Sequence, residues 1–335
     1  MKTIFISMSL AVAVTVCRAE EPYHFIKEIP VAGEGGWDYL TVDPAAKRLY
    51  VSHATKVVVV DLSKDAVVGE ITNTPGVHGI ALMPKLNRVF VSNGRENKVS
   101  IVDPQTLQTI SKTDAGANPD CILAVPDKKE VYAFNGRGQS ATVIAADTGA
   151  VVTTIPLGGK PEFAQADPTA ERIYNNLEDK SEVAVINAGA HQVVARWPIA
   201  PGESASGMAI DLEHHRLFLG CDNHLMAMMD STSGKILATV PIGQGVDANA
   251  FDPKTQLAFA SCGDGTTTIA HEDGDTLTVV QTLKTEASAR TIALDPVTHK
   301  IYLAAAKFET PTPGQRRGKM VPGTFKILVY GPAKK

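Results

Sequence analysis

The 335-residue chain is 44% apolar and 20% charged with a formal net charge of −4, a balance that excludes a disordered polyelectrolyte and argues against general nucleic-acid binding, which runs on phosphate neutralisation. Aromatic residues make up 6%, whereas 27 glycines and 20 prolines favour many short elements separated by turns over a few long helices.

In chain order the first element is a leader. Lys2 gives a minimal positive start, Ile4 to Val16 is a mostly apolar run, and Cys17-Arg18-Ala19 ends on a small residue. Residues 1–19 therefore read as a secretory signal peptide cleaved after Ala19, and the run is too short to span a membrane. The alternative is lipidation at Cys17, for which the bulky Val16 is a poor preceding residue. Loss of Lys2 and Arg18 would take the charge from −4 to −6 and leave a monomer without a membrane span, in the periplasm or outside the cell. Cys121, Cys221 and Cys262 remain, an odd number for an oxidising compartment, so at least one stays unpaired.

From residue 20 to 335 the chain repeats itself. Corresponding turns begin at Asp43, Met83, Val125, Asp167, Asp211, Asp252 and Asp295, steps of 40, 42, 42, 44, 41 and 43 residues, and a period of this size marks a solenoid or a propeller. The first unit predicts four strands: Tyr39 to Val42, Arg48 to Ser52, Val57 to Val60 and Ala66 to Ile71. Four strands per unit make a propeller blade, and consecutive apolar residues such as Val57-Val58-Val59-Val60 suit a sheet covered on both faces. Asp61, Asp103, Asp147, Asp230 and Asp273 open the last turn of their units and suit the first position of a type I turn. The paired His214-His215 falls in the turn between first and second strands and reads as structural.

The seventh unit lacks a fourth strand, and an orphan strand in residues 23–31 precedes the first unit. The N-terminal strand should complete blade seven and close the ring, giving one all-β, seven-bladed domain.

Gly76-Val77-His78-Gly79-Ile80-Ala81-Leu82, then Arg88 to Asn93 and Asn97 to Asp103, resemble the YVTN-type repeat of YncE-like bacterial propellers, and the likeness runs through all seven units. The resemblance implies the fold and says little of function, because such propellers include binding proteins and surface-layer components, and related ones include a lyase.

Stacking the units aligns Asp38, His78, Asp120, Glu162, Ser206, Asp247 and Arg290 two residues before the first core position. With sheets packed about 10 Å apart and strands about 4.8 Å apart, innermost strands of adjacent blades come within about 6 Å, so this column should form a charged collar at one channel mouth. The plain structural reading has these groups bonding the backbone of neighbouring blades. The functional reading leaves three outcomes open: one divalent ion held by His78, Asp120 and Glu162, with Asp38 a further candidate; an acid and base pair; or capture of a cationic ligand.

A second column, at the ends of the second strands, contains His53, Asn93, Asn135, Leu177, Cys221, Cys262 and Ala305; its polar members could bond a ligand across the mouth, although Asn at the end of a strand is more often a turn former with a structural role. Cys221 and Cys262 should be about 10 Å apart, too far for a disulfide. Trp37 and Tyr39 flank Asp38 and could give the rim an aromatic wall, with core packing the alternative, and the favoured one for Tyr39. In blade seven, Lys307 to Thr324 replaces a short turn and carries Arg316 and Arg317, which would make the mouth bipolar if the loop folds inward.

No P-loop, His-Glu-x-x-His, EF-hand or Gly-x-Ser-x-Gly motif occurs. The leading expectation is a non-catalytic propeller that binds a small molecule or another extracytoplasmic protein at the collar. A metal-assisted hydrolase or lyase is the alternative, and single-stranded DNA binding, implied by the YncE resemblance alone, comes third.

Overall fold

The computed structural model describes residues 22–31, 33–311 and 318–333, and within them each unit folds into a four-stranded antiparallel sheet. In blade one, Trp37–Asp43 pairs with Arg48–His53, which pairs with Lys56–Asp61, which pairs with Ala66–Ile71. Blades two to six repeat this order from the inner strands Val77–Met83, Pro119–Val125, Pro161–Asp167, Ala205–Asp211 and Val246–Asp252. Inner strands of successive blades touch all the way round, the seventh against the first, and the molecule is a seven-bladed β-propeller. Helix among the described residues is confined to single 3-10 turns at Pro84–Leu86, Pro126–Lys128 and Glu178–Lys180.

Blade seven is composite, as expected. Ile292–Asp295, Lys300–Ala305 and Lys326–Pro332 come from the C-terminal end, and Tyr23–Pro30 adds the outer strand. Tyr23 lies opposite Pro332 and Pro30 opposite Lys326, so the strand is paired along its length. Its anchors are buried: Ile29 packs with Phe325 and Val58 in the seam to blade one, and Tyr23 meets Phe259 of blade six edge-on at 5.0 Å. The signal-peptide reading of residues 1–19 lies outside the described residues.

The valine run Val57 to Val60 is at most 1% exposed, because each blade face is covered by a neighbouring blade. The turn aspartates act as anticipated where their bonds are described. Asp61, Asp103 and Asp230 each accept two backbone amides from the residues just ahead.

The inner strands differ from the expected pattern at their first residues. Trp37 pairs with His53 and Leu40 with Val51, so Asp38 and Tyr39 together oppose Ser52. The same bulge recurs at His78-Gly79, Asp120-Cys121 and Glu162-Phe163, and with one extra residue at Ser206 and Asp247. A bulge twists the strand and re-aims a side chain.

Candidate functional site

Each bulge puts a collar residue at the mouth, and buried polar groups on the second strands hold it there. The Asp38 amide donates to Ser52 Oγ at 2.8 Å, and the Gly79 amide to Ser92 Oγ at 2.8 Å. Ser92 Oγ then donates to the Asp120 carbonyl of the next blade at 2.5 Å, Ser261 Oγ to the Arg290 carbonyl at 2.6 Å, and Asn176 Nδ2 to the Gly207 carbonyl at 3.0 Å. The sequence reading passed over these four residues. Their signal is a polar side chain, aligned from unit to unit, inside an otherwise apolar buried strand.

Collar residues of adjacent blades do meet. His78 Nδ1 lies 2.6 Å from Asp38 Oδ2 and 3.6 Å from Asp120 Oδ1. Arg290 donates Nε to Asp247 Oδ2 at 2.5 Å and reaches the Trp37 carbonyl at 3.2 Å, which joins blade seven to blades six and one. Ser206 Oγ donates to the Val246 carbonyl at 2.8 Å, so the backbone-linking role holds for this member. Glu162 is held by Lys160 at 2.7 Å, and Lys160 also contacts Glu178. Lys160 was not among the expected site residues; it precedes the inner strand by one position.

The electrostatics follow from crowding acids in a partly dry place. Burial and then the Asp38 charge push Asp120 up to about 7, with His78 opposing. Burial and then the Asp120 charge push Glu162 up to about 8, against the pull of Lys160. Burial raises Asp247 to about 6 even though Arg290 opposes it. For His78, burial favours the neutral ring, but the Asp38 hydrogen bond and the Asp120, Asp38 and Glu162 charges together raise it to about 9. At neutral pH the ring is an imidazolium between two carboxyl groups.

Directly under the collar two aromatic rings meet. Tyr39 of blade one and Phe163 of blade four, nearly opposite in a ring of seven, meet with ring centroids 5.1 Å apart. Above them Asp38, Glu162, Asp247 and Thr291 help line a cavity of ≈ 20 Å³, room for one water-sized guest. Below them a separate cavity of ≈ 320 Å³ opens on the other side, lined by residues such as Val42, Gln165 and Phe251. A larger cavity, ≈ 550 Å³, lies off the axis at the base of the blade-seven loop, beside Glu286, Ser288 and Phe308.

Other expected positions are placed differently. All seven residues of the second column are 0% exposed, so His53, Asn93 and Asn135 sit inside the sheet seams and do not present a second ligand-facing ring. His53 stacks on Phe325 at 4.1 Å, Asn93 donates to Ser100 Oγ, and Asn135 donates to Ser140 and Thr142. Trp37 is 5% exposed and packs on Phe325 and Phe308, so it belongs to the seam between blades seven and one. The physical cause is register: these residues flank the bulge and keep the pleat, while the bulged residue leaves it. Cys121, Cys221 and Cys262 are buried free thiols. The base of the blade-seven loop is tied by Glu309 N to Lys319 O and Val321 N to Lys307 O, both 2.8 Å; Arg316 and Arg317 lie outside the described residues.

For a metal ion the collar offers Asp38, His78 and Asp120, whose ligand atoms all lie within 4.8 Å of one another. Glu162 is engaged by Lys160 instead, and His78 would have to lose its proton before ligating. No family model matches the chain, and no curated protein matches it at a significant level.

Proposed function

We propose that the protein is a non-catalytic binding propeller that captures the cationic group of a small molecule, or of a side chain on a partner protein, at its collar. The observation that carries this reading is a water-sized space lined by Asp38, Glu162 and Asp247 and floored by two aromatic rings, with Asp120 acting on Glu162 from the next blade and Asp120, Glu162 and Asp247 all raised in pKa. An ammonium tip there would relieve the carboxylate repulsion and sit over the Tyr39–Phe163 pair. The leader-like residues 1–19 and the YVTN-type repeats support a role in the periplasm or outside the cell. Calorimetric titration with ethylenediamine, choline and arginine methyl ester at pH 8 tests the reading. Saturable binding of at least one of them, lost in Asp120→Asn/Glu162→Gln, supports it; no binding of any of the three, or binding unchanged in that variant, sinks it.

The Asp38, His78 and Asp120 triple favours one second reading, a metal-assisted hydrolase or lyase. Its test is elemental analysis of protein purified without chelator, where about one equivalent of a divalent ion lost on His78→Ala is required. Single-stranded DNA ranks below both, since the collar carboxyl groups repel phosphate.

A further inference from the structure

The outer part of blade six is longer than its counterparts. Its third strand, Thr266–Asp273, has 8 residues, where those of blades one to five have 5 or 6. The extra turn of hairpin brings Glu272 against Asp211, the last residue of blade five's inner strand, and Asp275 onto Arg216 of blade five at 2.7 Å. This seam opens at the end of the inner strand remote from the collar.

Asp211 and Glu272 have side chains 1% and 2% exposed. Asp211 Oδ2 lies 2.6 Å from His214 Nδ1, and Asp211 Oδ1 accepts the Glu213 amide at 2.9 Å. Glu272 is different: no N–H or hydroxyl donor meets either of its carboxyl oxygens, and its one polar neighbour at hydrogen-bond range is the Asp211 carboxyl, with which it can bond only by holding a proton. The nearest cationic atom is Arg216 Nε at 4.0 Å, while the rest of that guanidinium is engaged by Asp275, Asp230 and the His214 carbonyl. A buried carboxyl group without a donor is costly, so something must meet it there. Ligand atoms of Asp211, His214 and Glu272 all lie within 4.8 Å of one another, and the half-exposed His214 forms the solvent side.

We propose that Asp211, His214 and Glu272 form a binding site for a divalent transition-metal ion that clamps blade six to blade five. Two carboxylates and one imidazole are the donor set of a zinc-type site, with water in the fourth position. Three protein ligands are too few, and one is nitrogen, for a calcium site that takes six to eight oxygens. The competing occupant is a proton shared between Asp211 and Glu272. The site is independent of the collar and of what the collar binds.

Zn²⁺ titration by calorimetry on the chelator-treated full chain, with Co²⁺ absorption as a second probe, tests the assignment. One equivalent of Zn²⁺ and a visible Co²⁺ band are expected, with affinity falling about tenfold or more in His214→Ala and in Glu272→Gln, and unchanged in Asp120→Asn. His214 is half exposed, so its alanine variant should keep the wild-type circular dichroism and isolates ligation from folding. Zn²⁺ binding lost in Asp120→Asn but kept in His214→Ala would move the ion to the collar and overturn the proposal. Absence of Zn²⁺ binding, with Glu272→Gln raising the melting temperature, would also overturn it, in favour of the shared proton.

Discussion

His78 donates Nδ1 to Asp38 Oδ2 at 2.6 Å, an ion pair that joins the inner strands of blades two and one. Burial alone would keep the ring neutral, so its charge at physiological pH depends on the neighbouring carboxylates. Proton NMR should find His78 titrating near 9. In Asp38→Asn the apparent pKa should fall by at least a full unit; an ordinary value near 6.5 in the wild type would refute the pairing.

Collar charge also sets how stability varies with pH. Asp120, Glu162 and Asp247 have folded-state values raised above those of the unfolded chain, so the folded state holds their protons longer. Stability they confer is fully present only below their unfolded values of 3.8 and 4.5 and is lost as pH rises from there through about 6 to 8. His78 acts in the same direction between its unfolded value of 6.5 and about 9. Each proton released on unfolding in this window lowers stability by about 1.4 kcal/mol per pH unit. Urea melts from pH 5 to 9 should show this decline, and Asp120→Asn/Glu162→Gln should flatten it and be more stable than wild type at pH 8. A steeper decline in the variant would contradict the assigned protonation.

Ser92 is a clip between blades two and three, accepting from Gly79 and donating to Asp120. Ser92→Ala leaves the Gly79 amide and the Asp120 carbonyl without that partner, and should cost about 1–3 kcal/mol in denaturant melts. Because the clip supports the Asp120 bulge, cation binding at the collar should weaken as well. A neutral substitution would show that the bulge holds itself.

The outer strand of blade seven can be removed at its boundary. A chain beginning at Val31 would leave Lys326–Pro332 with an open edge and uncover the apolar seam that Ile29 fills. Size-exclusion chromatography should show larger species than the longer chain gives, or aggregate. A milder change, Ile29→Ala, should cost about 2–5 kcal/mol with the ring intact.

The propeller was legible because the period, the turn aspartates and the orphan strand all point to one architecture. The collar column was legible as well, since the bulge sits at the same offset in six blades and puts equivalent residues at one mouth. The bulge itself was not, because alternation alone gives no sign that Asp38 leaves the pleat while Trp37 and His53 stay in it. For the same reason the ligand-bonding alternative for the second column stayed open in the sequence, although the column is interior. Lys160, set one residue before a strand, and Glu272, carried in by a longer hairpin, depend on loop paths and on contacts between blades that no local pattern encodes.

Tyr39 and Phe163 make the molecule a thimble where its outline suggests a washer. A guest held at the collar would rest on that floor and leave by the rim it entered, so its residence time would be decided there. Discrimination therefore rests with the first few ångströms of depth, and a bulky guest can offer the protein no more than its tip.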